Sequence, residues 1–161
     1  MKIALKEPAL CTTDELDQIT NLILSGGEVA SGGLYQRVKN AKTLAFAKDE
    51  NDKIVSVGAL KRPVESYKLA VFTKSGQKDE ANRFRFELGY LFTDQKYRGS
   101  GLASGIIEKL VTSLHGQPCF TTLREDNKPS SHLLTKNGFS PLGSSYKGAR
   151  GNYDLVIYSI N

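Results

Sequence analysis

Cysteine and histidine are scarce in this sequence. The 161 residues include two cysteines, Cys11 and Cys119, and two histidines, His115 and His132. Two cysteines do not build the disulfide framework of a small secreted domain. The sequence contains neither a CxxC nor an HxxxH pair, so it lacks the ligand spacing of common zinc sites. We therefore expect no metal site and a reducing, cytoplasmic compartment.

Long apolar runs are also missing. No stretch of about 18 apolar residues could form a transmembrane helix. The first residues, MKIALKEPAL, contain only a broken apolar run and lack the pattern of a secretory signal peptide. The polar segment 75–82 is too short to be a domain linker, so we expect one domain over residues 1–161 that does not contact membranes.

The excess of basic over acidic residues is small. Lysine and arginine total 22, aspartate and glutamate total 17, and the net charge is +5. This balance favours anionic partners such as phosphorylated cofactors, nucleic acid or acidic proteins. The basic residues are scattered among acidic ones, without the dense basic run and interleaved aromatics of a nucleic-acid platform. Nucleic-acid binding therefore ranks last among the hypotheses below.

Hydrophobic spacing predicts strands both in hairpins and alternating with helices. The predicted strands are Lys2–Lys6, Lys42–Lys48, Lys53–Leu60, Phe84–Thr93, Cys119–Leu123, Phe139–Lys147 and Asn152–Ile160. Helices are predicted after the capping-box signature Thr12-x-x-Glu15, near 34–40, between Pro63 and Gly76, after Gly101, and over Pro129–Asn137. This mixture predicts an α/β fold with a central mixed sheet of about six to seven strands flanked by about four helices.

The segment LFTDQKYRGSGLA, residues 91–103, is the most informative part of the sequence. It predicts a strand, a glycine turn and a helix. The N–H groups at a helix N-terminus attract anions, and glycines let the backbone approach a phosphate closely. A Rossmann fingerprint does not fit, because Ser104 occupies the third glycine position and Gly105 comes one residue late. A P-loop does not fit either, because no Gly-Lys-Ser/Thr ending follows.

Two motifs carry a resemblance to a known family. Arg98-Gly99-Ser100-Gly101-Leu102-Ala103 matches R/Q-x-x-G-x-G/A, and the sequence thereby resembles the GNAT acetyltransferases at their pyrophosphate-binding motif. Asn127 and the later Lys136-Asn137-Gly138-Phe139 are similar to the second motif of that family, N…K-x-G-F. The resemblance covers the C-terminal half of the chain. The alternative is that the two glycines only shape a strand-to-helix turn.

The resemblance implies a GNAT-like acyl-CoA N-acyltransferase fold, in which the central strand splays away from its neighbour. It also implies acetyl-CoA as co-substrate and direct acetyl transfer, in a ternary complex, to a primary amine of a small molecule or peptide. The implied cofactor-binding residues are Leu91, Phe92 and Thr93 along the strand, Arg98, Gly99, Ser100, Gly101, Leu102 and Ala103 around the pyrophosphate, and Asn127 beside the pantetheine arm. One N–H group of the strand would polarise the thioester carbonyl.

Glu87 is the candidate catalytic residue. An alkyl amine with a pKa near ~10 is protonated at neutral pH and must lose a proton before it can attack. Glu87 lies four residues before Leu91, so strand alternation predicts that both face the same way. It also resembles, by position, the catalytic glutamate of histone-acetyltransferase-like members. The alternative is a solvated strand residue or an ion-pair partner of Arg83 or Arg85.

The sequence departs from the family at Leu134, where many members have a tyrosine that protonates the leaving thiolate. Tyr146, Ser131 and His132 are candidate substitutes. This departure keeps open a second hypothesis, a catalytically silent acyl-CoA-binding sensor or scaffold. The sequence does not predict the acceptor, the physiological acyl group or the oligomeric state, for which a homodimer is one open alternative.

The segment Lys61–Asn82 is longer than a plain connection requires. We expect Tyr67, Phe72 and residues 32–35 to border the acceptor groove. The alternative is that this segment is a surface helix covering one edge of the sheet.

Overall fold

The chain folds into seven strands and five α-helices. The computed structural model describes all residues from Met1 to Asn161. The strands are β1 (Ile3–Lys6), β2 (Thr43–Lys48), β3 (Ile54–Lys61), β4 (Phe86–Thr93), β5 (Cys119–Arg124), β6 (Ser140–Lys147) and β7 (Asp154–Ile160). The helices are α1 (Thr13–Ser25), α2 (Leu34–Lys39), α3 (Glu65–Lys74), α4 (Leu102–Thr112) and α5 (Lys128–Lys136). Short 3-10 turns cover Pro8–Leu10, Lys78–Arg83 and Gln95–Tyr97. None of these helices has the length and apolar character needed to cross a bilayer.

The seven strands form a mixed sheet in the order β1-β2-β3-β4-β5-β7-β6. Strands β1 to β3 pair antiparallel, as do β5, β7 and β6. Strands β4 and β5 pair in parallel, with Phe86 opposite Cys119 and Glu87 opposite Phe120. The predicted fold class is confirmed, with five α-helices in place of about four.

Tertiary contacts divide the chain into two compact units. The first comprises Met1–Arg62 with Leu88–His115, and the second comprises Pro63–Glu87 with Gly116–Asn161. The expected single domain over residues 1–161 stays a prediction.

In the first unit, two amphipathic helices pack on strands. The face of α1 formed by Leu16, Ile19, Leu22 and Ile23 is buried, as the spacing predicted. Helix α4 lies directly against the backbone of β3, because a β-carbon at Gly58 would come within 2.6 Å of the Cγ2 atom of Ile106. The position and direction of α4 are thus set by close packing.

In the second unit, three phenylalanines form the centre of the core. The ring of Phe72 from α3 lies 5.3 Å from that of Phe84 and 5.0 Å from that of Phe120 on β5. The buried Nζ of Lys68 donates to the carbonyl oxygen of Phe84 at 2.9 Å and to Glu65 at 3.0 Å. These contacts hold α3, the helix predicted between Pro63 and Gly76, in a fixed place.

The predicted capping box is present, and Glu15 is its most connected member. Its carboxylate accepts from the Thr12 N–H at 3.0 Å, while the Thr12 hydroxyl accepts from the Glu15 N–H at 3.1 Å. The same carboxylate bonds Lys6 at 2.9 Å and Lys48 at 3.2 Å. Burial by itself raises the pKa of Glu15, but the hydrogen bonds from Lys6, Thr12 and Lys48 outweigh it and hold that pKa below its usual value.

We expect Glu15→Gln to lower the free energy of unfolding by about 1–3 kcal/mol at neutral pH, because Glu15 is only 5% exposed and its charged partners lose their acceptor. Since the folded-state pKa is lowered, this contribution is complete above about pH 4.3 and is lost as the pH falls through the folded value. Urea unfolding at neutral and acidic pH measures both effects. Asp17→Asn, on the exposed side of α1, is the control. A difference between wild type and variant that persists at low pH would contradict this account.

Candidate functional site

The turn from β4 to α4 has a backbone suited to an anion. Gly99 and Gly101 have φ angles of 77° and 81°, which only glycine adopts at little cost. A β-carbon at either position would meet no atom within 4 Å, so the backbone is open on that side. A bulky phosphate could approach the chain closely here.

Helix α4 adds favourable electrostatics. Gly101 is its N-cap, and the first turn begins at Leu102 and Ala103. The N–H of Gly105 donates to the oxygen of Gly101 at 3.0 Å. In general, the first amides of an α-helix precede this bonding pattern and point out of the helix N-terminus. These amides carry the partial positive charge of a helix N-terminus. The predicted residues 98–103 thus form the turn before α4 and the first two residues of that helix.

Arg98 supplies a full positive charge at the base of this loop. Its Nε donates to the carbonyl oxygen of Thr93 at 3.2 Å, and its guanidinium lies 5.6 Å from the centre of the Phe92 ring. The hydroxyl of Ser100 donates to the oxygen of Tyr97. The loop is therefore held by its own side chains.

A contact with the turn between β2 and β3 also holds the loop. The Tyr97 hydroxyl donates to Oδ2 of Asp49 at 3.0 Å, while Oδ1 accepts from the N–H groups of Asn51 and Lys53. Burial by itself raises the pKa of Asp49, but the bonds from Lys53, Asn51 and Tyr97 lower it below its usual value. Conversely, the bond to Asp49 raises the pKa of Tyr97. Sequence reasoning missed this pair, which lies 48 residues apart.

Strand β4 continues through Tyr90 but is irregular at that residue. This residue has a φ angle of 53°, a left-handed conformation that is unusual for a bulky side chain within a strand. The Nζ atom of Lys61 lies 4.9 Å from the Tyr90 ring centre, and a β-carbon at Gly89 would come within 2.5 Å of Cδ of Lys61. Because this irregular residue lies between Glu87 and Leu91, simple alternation along the strand does not establish that those two share one face. Gly89 within a predicted strand was the available signal for a bulge.

The three strand residues predicted to contact the cofactor, Leu91, Phe92 and Thr93, follow Tyr90, and all are half-buried. The Cδ1 atom of Leu91 lies beside Gly58, and the ring of Phe92 lies beside Gly26. The hydroxyls of Thr93 and Ser56 are 2.8 Å apart. Packing therefore fixes this segment, and its contact with a thioester stays a prediction.

Glu87 is buried, with 4% of its surface exposed. The alternative that it is a solvated residue is therefore wrong. The hydroxyl of Tyr67, from α3, donates to Oε1 of Glu87 at 3.1 Å. Burial and the Glu87 charge raise the pKa of Tyr67, and hydrogen bonding to Thr122 offsets part of that rise. Sequence reasoning placed Tyr67 at the acceptor groove without assigning it this partner.

Tyr146 on β6 also interacts electrostatically with Glu87. Its hydroxyl is buried and has no hydrogen-bond partner. Burial and then the Glu87 charge raise the pKa of Tyr146 to about 12. Tyr67, Glu87, Thr122 and Tyr146 thus form one group of polar side chains in the second unit, which we call the Glu87 cluster.

Helix α5 connects Asn127 to the Lys136-Asn137-Gly138-Phe139 part of the second motif. The Asn127 oxygen caps the helix by accepting from the Ser130 N–H at 3.2 Å, and a pantetheine contact of Asn127 stays a prediction. Leu134 is buried in the core. Among the candidate substitutes for the missing tyrosine, Ser131 shares a 2.8 Å hydrogen bond with Tyr158, and His132 is exposed.

Nowhere do three His, Cys, Asp or Glu side chains come together as a metal site requires.

Solved structures similar to this chain share its whole fold. An acyl-CoA N-acyltransferase from Pseudomonas aeruginosa is 12% identical, covers 100% of both chains and has a TM-score of 0.71. A GNAT-family acetyltransferase from Staphylococcus aureus Mu50 is 15% identical over 99% of each chain, with a TM-score of 0.68. Arabidopsis thaliana NAA60, solved with a bisubstrate analogue, is 13% identical over 98% of this chain and 97% of its own, with a TM-score of 0.71.

Sequence comparison gives the family directly. None of the curated proteins matches the sequence. The family described as "Acetyltransferase (GNAT) family" matches residues 17–139, which is more than half of the chain and includes β4, the glycine turn and α5. This chain therefore belongs to the GNAT family of acetyltransferases.

Proposed function

We propose that this protein transfers the acetyl group of acetyl-CoA directly to a primary amine of a small molecule or peptide in a ternary complex. The observation that carries the proposal is the turn between β4 and α4. Its two left-handed glycines leave the backbone open, α4 presents its N-terminal amides, and Arg98 adds positive charge. These features together suit a pyrophosphate.

The cofactor would be held by residues in three places. The loop of Arg98, Gly99, Ser100, Gly101, Leu102 and Ala103 would surround the pyrophosphate. The backbone of Leu91, Phe92 and Thr93 would bind the acyl arm, with one N–H polarising the thioester carbonyl. The amide of Asn127 would contact the pantetheine. Acetyl-CoA supplies the activated acetyl group when bound.

Glu87 would act as the base. An alkyl ammonium has a pKa near ~10, so the enzyme must remove a proton before the nitrogen can attack. Leu134 supplies no acid for the leaving thiolate, and Tyr146, with its pKa raised to about 12, is a weak acid toward it. The thiolate would leave without strong assistance, which its modest pKa allows.

The second candidate function is a catalytically silent acyl-CoA-binding sensor or scaffold. The apolar Leu134 in place of the usual tyrosine favours it. Turnover with any amine separates the two candidates. The free thiols of Cys11 and Cys119 support a reducing, cytoplasmic setting for either function.

The cofactor site is tested by Gly101→Glu. A carboxylate at this position would occupy the open space and repel the pyrophosphate, so we expect acetyl-CoA affinity to fall at least about tenfold. Calorimetric titration of acetyl-CoA measures this change. Gly116→Glu, beyond the other end of α4, is the matched control, because it also has a positive φ angle with no atom within 4 Å of a β-carbon. Equal affinities in wild type and Gly101→Glu would contradict the site.

The contact between Asp49 and Tyr97 is tested by Tyr97→Phe. Losing this hydrogen bond frees the loop before binding, so we expect KM for acetyl-CoA to rise about two- to tenfold with kcat unchanged. Asp49→Asn keeps an acceptor oxygen and should show a smaller rise. A fall in kcat at constant KM would show that the contact acts on another step.

The base is tested by Glu87→Gln in a screen of ethylamine, spermidine and a peptide with a free N-terminus. We expect kcat/KM to fall about a hundredfold or more with whichever amine wild type accepts, because general-base assistance contributes on that scale. Release of the CoA thiol provides the rate, and Glu108→Gln on the exposed side of α4 is the control. Wild-type protein that binds acetyl-CoA but acetylates none of these amines would favour the sensor.

A further inference from the structure

The burial of Glu87 raises a question about how it could receive a proton. Only 4% of its surface is exposed, whereas Tyr67 is 40% exposed and its hydroxyl lies 3.1 Å from Oε1 of Glu87. Tyr67 is therefore a partly exposed side chain that is hydrogen-bonded to the buried carboxylate.

The position of Tyr67 is fixed by its neighbours on α3. Lys68, the next residue, is anchored to the carbonyl oxygen of Phe84 by its buried Nζ. Phe72, five residues on, packs edge-on against Phe120, which lies opposite Glu87 in the pairing of β4 with β5. Because both anchors are buried, the hydroxyl of Tyr67 is held toward Glu87 by the core of the second unit.

We propose that Tyr67 is a catalytic residue that relays the proton of the acceptor ammonium to Glu87. This inference rests on the proposed function. The phenolic oxygen also hydrogen-bonds Thr122, and its remaining lone pair can accept from an incoming N–H while its own hydrogen bonds Oε1 of Glu87. As the N–H bond breaks, the proton joins the Tyr67 oxygen and the original hydroxyl hydrogen passes to Glu87. The products of this step are a neutral amine, a neutral tyrosine and a protonated Glu87.

The electrostatics of the cluster suit a relay. Burial and the Glu87 charge raise the pKa of Tyr67, so the hydroxyl stays protonated and remains a donor to the carboxylate at neutral pH. Tyr67 never has to ionise, since it gains one proton as it gives up another. The buried hydroxyl of Tyr146, whose pKa the Glu87 charge also raises, is a second neutral group of this cluster.

The test compares two amines of similar size in Tyr67→Phe. Ethylamine is protonated at neutral pH, whereas the fluorines of trifluoroethylamine withdraw electrons and leave it largely neutral. We expect kcat/KM for ethylamine to fall about a hundredfold, and that for trifluoroethylamine to fall less than about threefold. Affinity for acetyl-CoA should not change. Glu87→Gln should show the same pattern, and the double variant should lose little more, because the two residues act as one unit.

The possible outcomes distinguish the relay from a structural role of Tyr67 and from failure of the proposed acetyl transfer. Tyr153→Phe, which removes a hydroxyl elsewhere in the second unit, should leave both rates unchanged. An equal loss with both amines in Tyr67→Phe would indicate a structural role and overturn the relay, as would unchanged rates. Wild type that binds acetyl-CoA and releases no CoA with either amine would overturn the proposed transfer to such amines, and with it the relay.

Discussion

The left-handed backbone at Gly99 and Gly101 is the constraint on which the proposed cofactor site depends. It lies directly before α4, and a β-carbon at either glycine would meet no atom within 4 Å. The direction of α4 is fixed by a different contact, because the helix packs closely against the backbone of β3 at Gly58. Core packing therefore fixes the direction of the amides in the first turn of α4, which would preorganise the proposed anion site before a ligand binds.

The chemistry of the second unit depends on a different constraint, the burial of a carboxylate. A buried Glu87 pays a desolvation cost as an anion, and hydrogen bonding to the charged form offsets that cost. The hydroxyl of Tyr67 provides such a bond. The same arrangement that stabilises the charge also supplies a path for a proton, so one contact serves both folding and the proposed reaction.

Local patterns made much of the fold predictable from the sequence. The capping box at Thr12 and Glu15, the buried face of α1 and the stop of α5 at Gly138 each depend on residues a few positions apart, and all are present. The bond of Tyr67 to Glu87 and that of Asp49 to Tyr97 were missed, because they join residues 20 and 48 positions apart. The left-handed Tyr90 was missed for another reason, since tertiary packing outweighs the preference of a tyrosine in a strand.

The proposed anion site and the Glu87 cluster therefore differ in the groups that would bind a ligand. At the glycine turn the binding groups are backbone amides, whose directions follow from the fold itself. Around Glu87 they are side chains from α3, β4, β5 and β6, which can change without altering the backbone. Leu134 illustrates this freedom, because α5 keeps its place in the core with an apolar residue at a position where family members have a tyrosine. Membership of the family thus indicates the acyl donor more firmly than the acceptor, which we propose is recognised by residues around Tyr67.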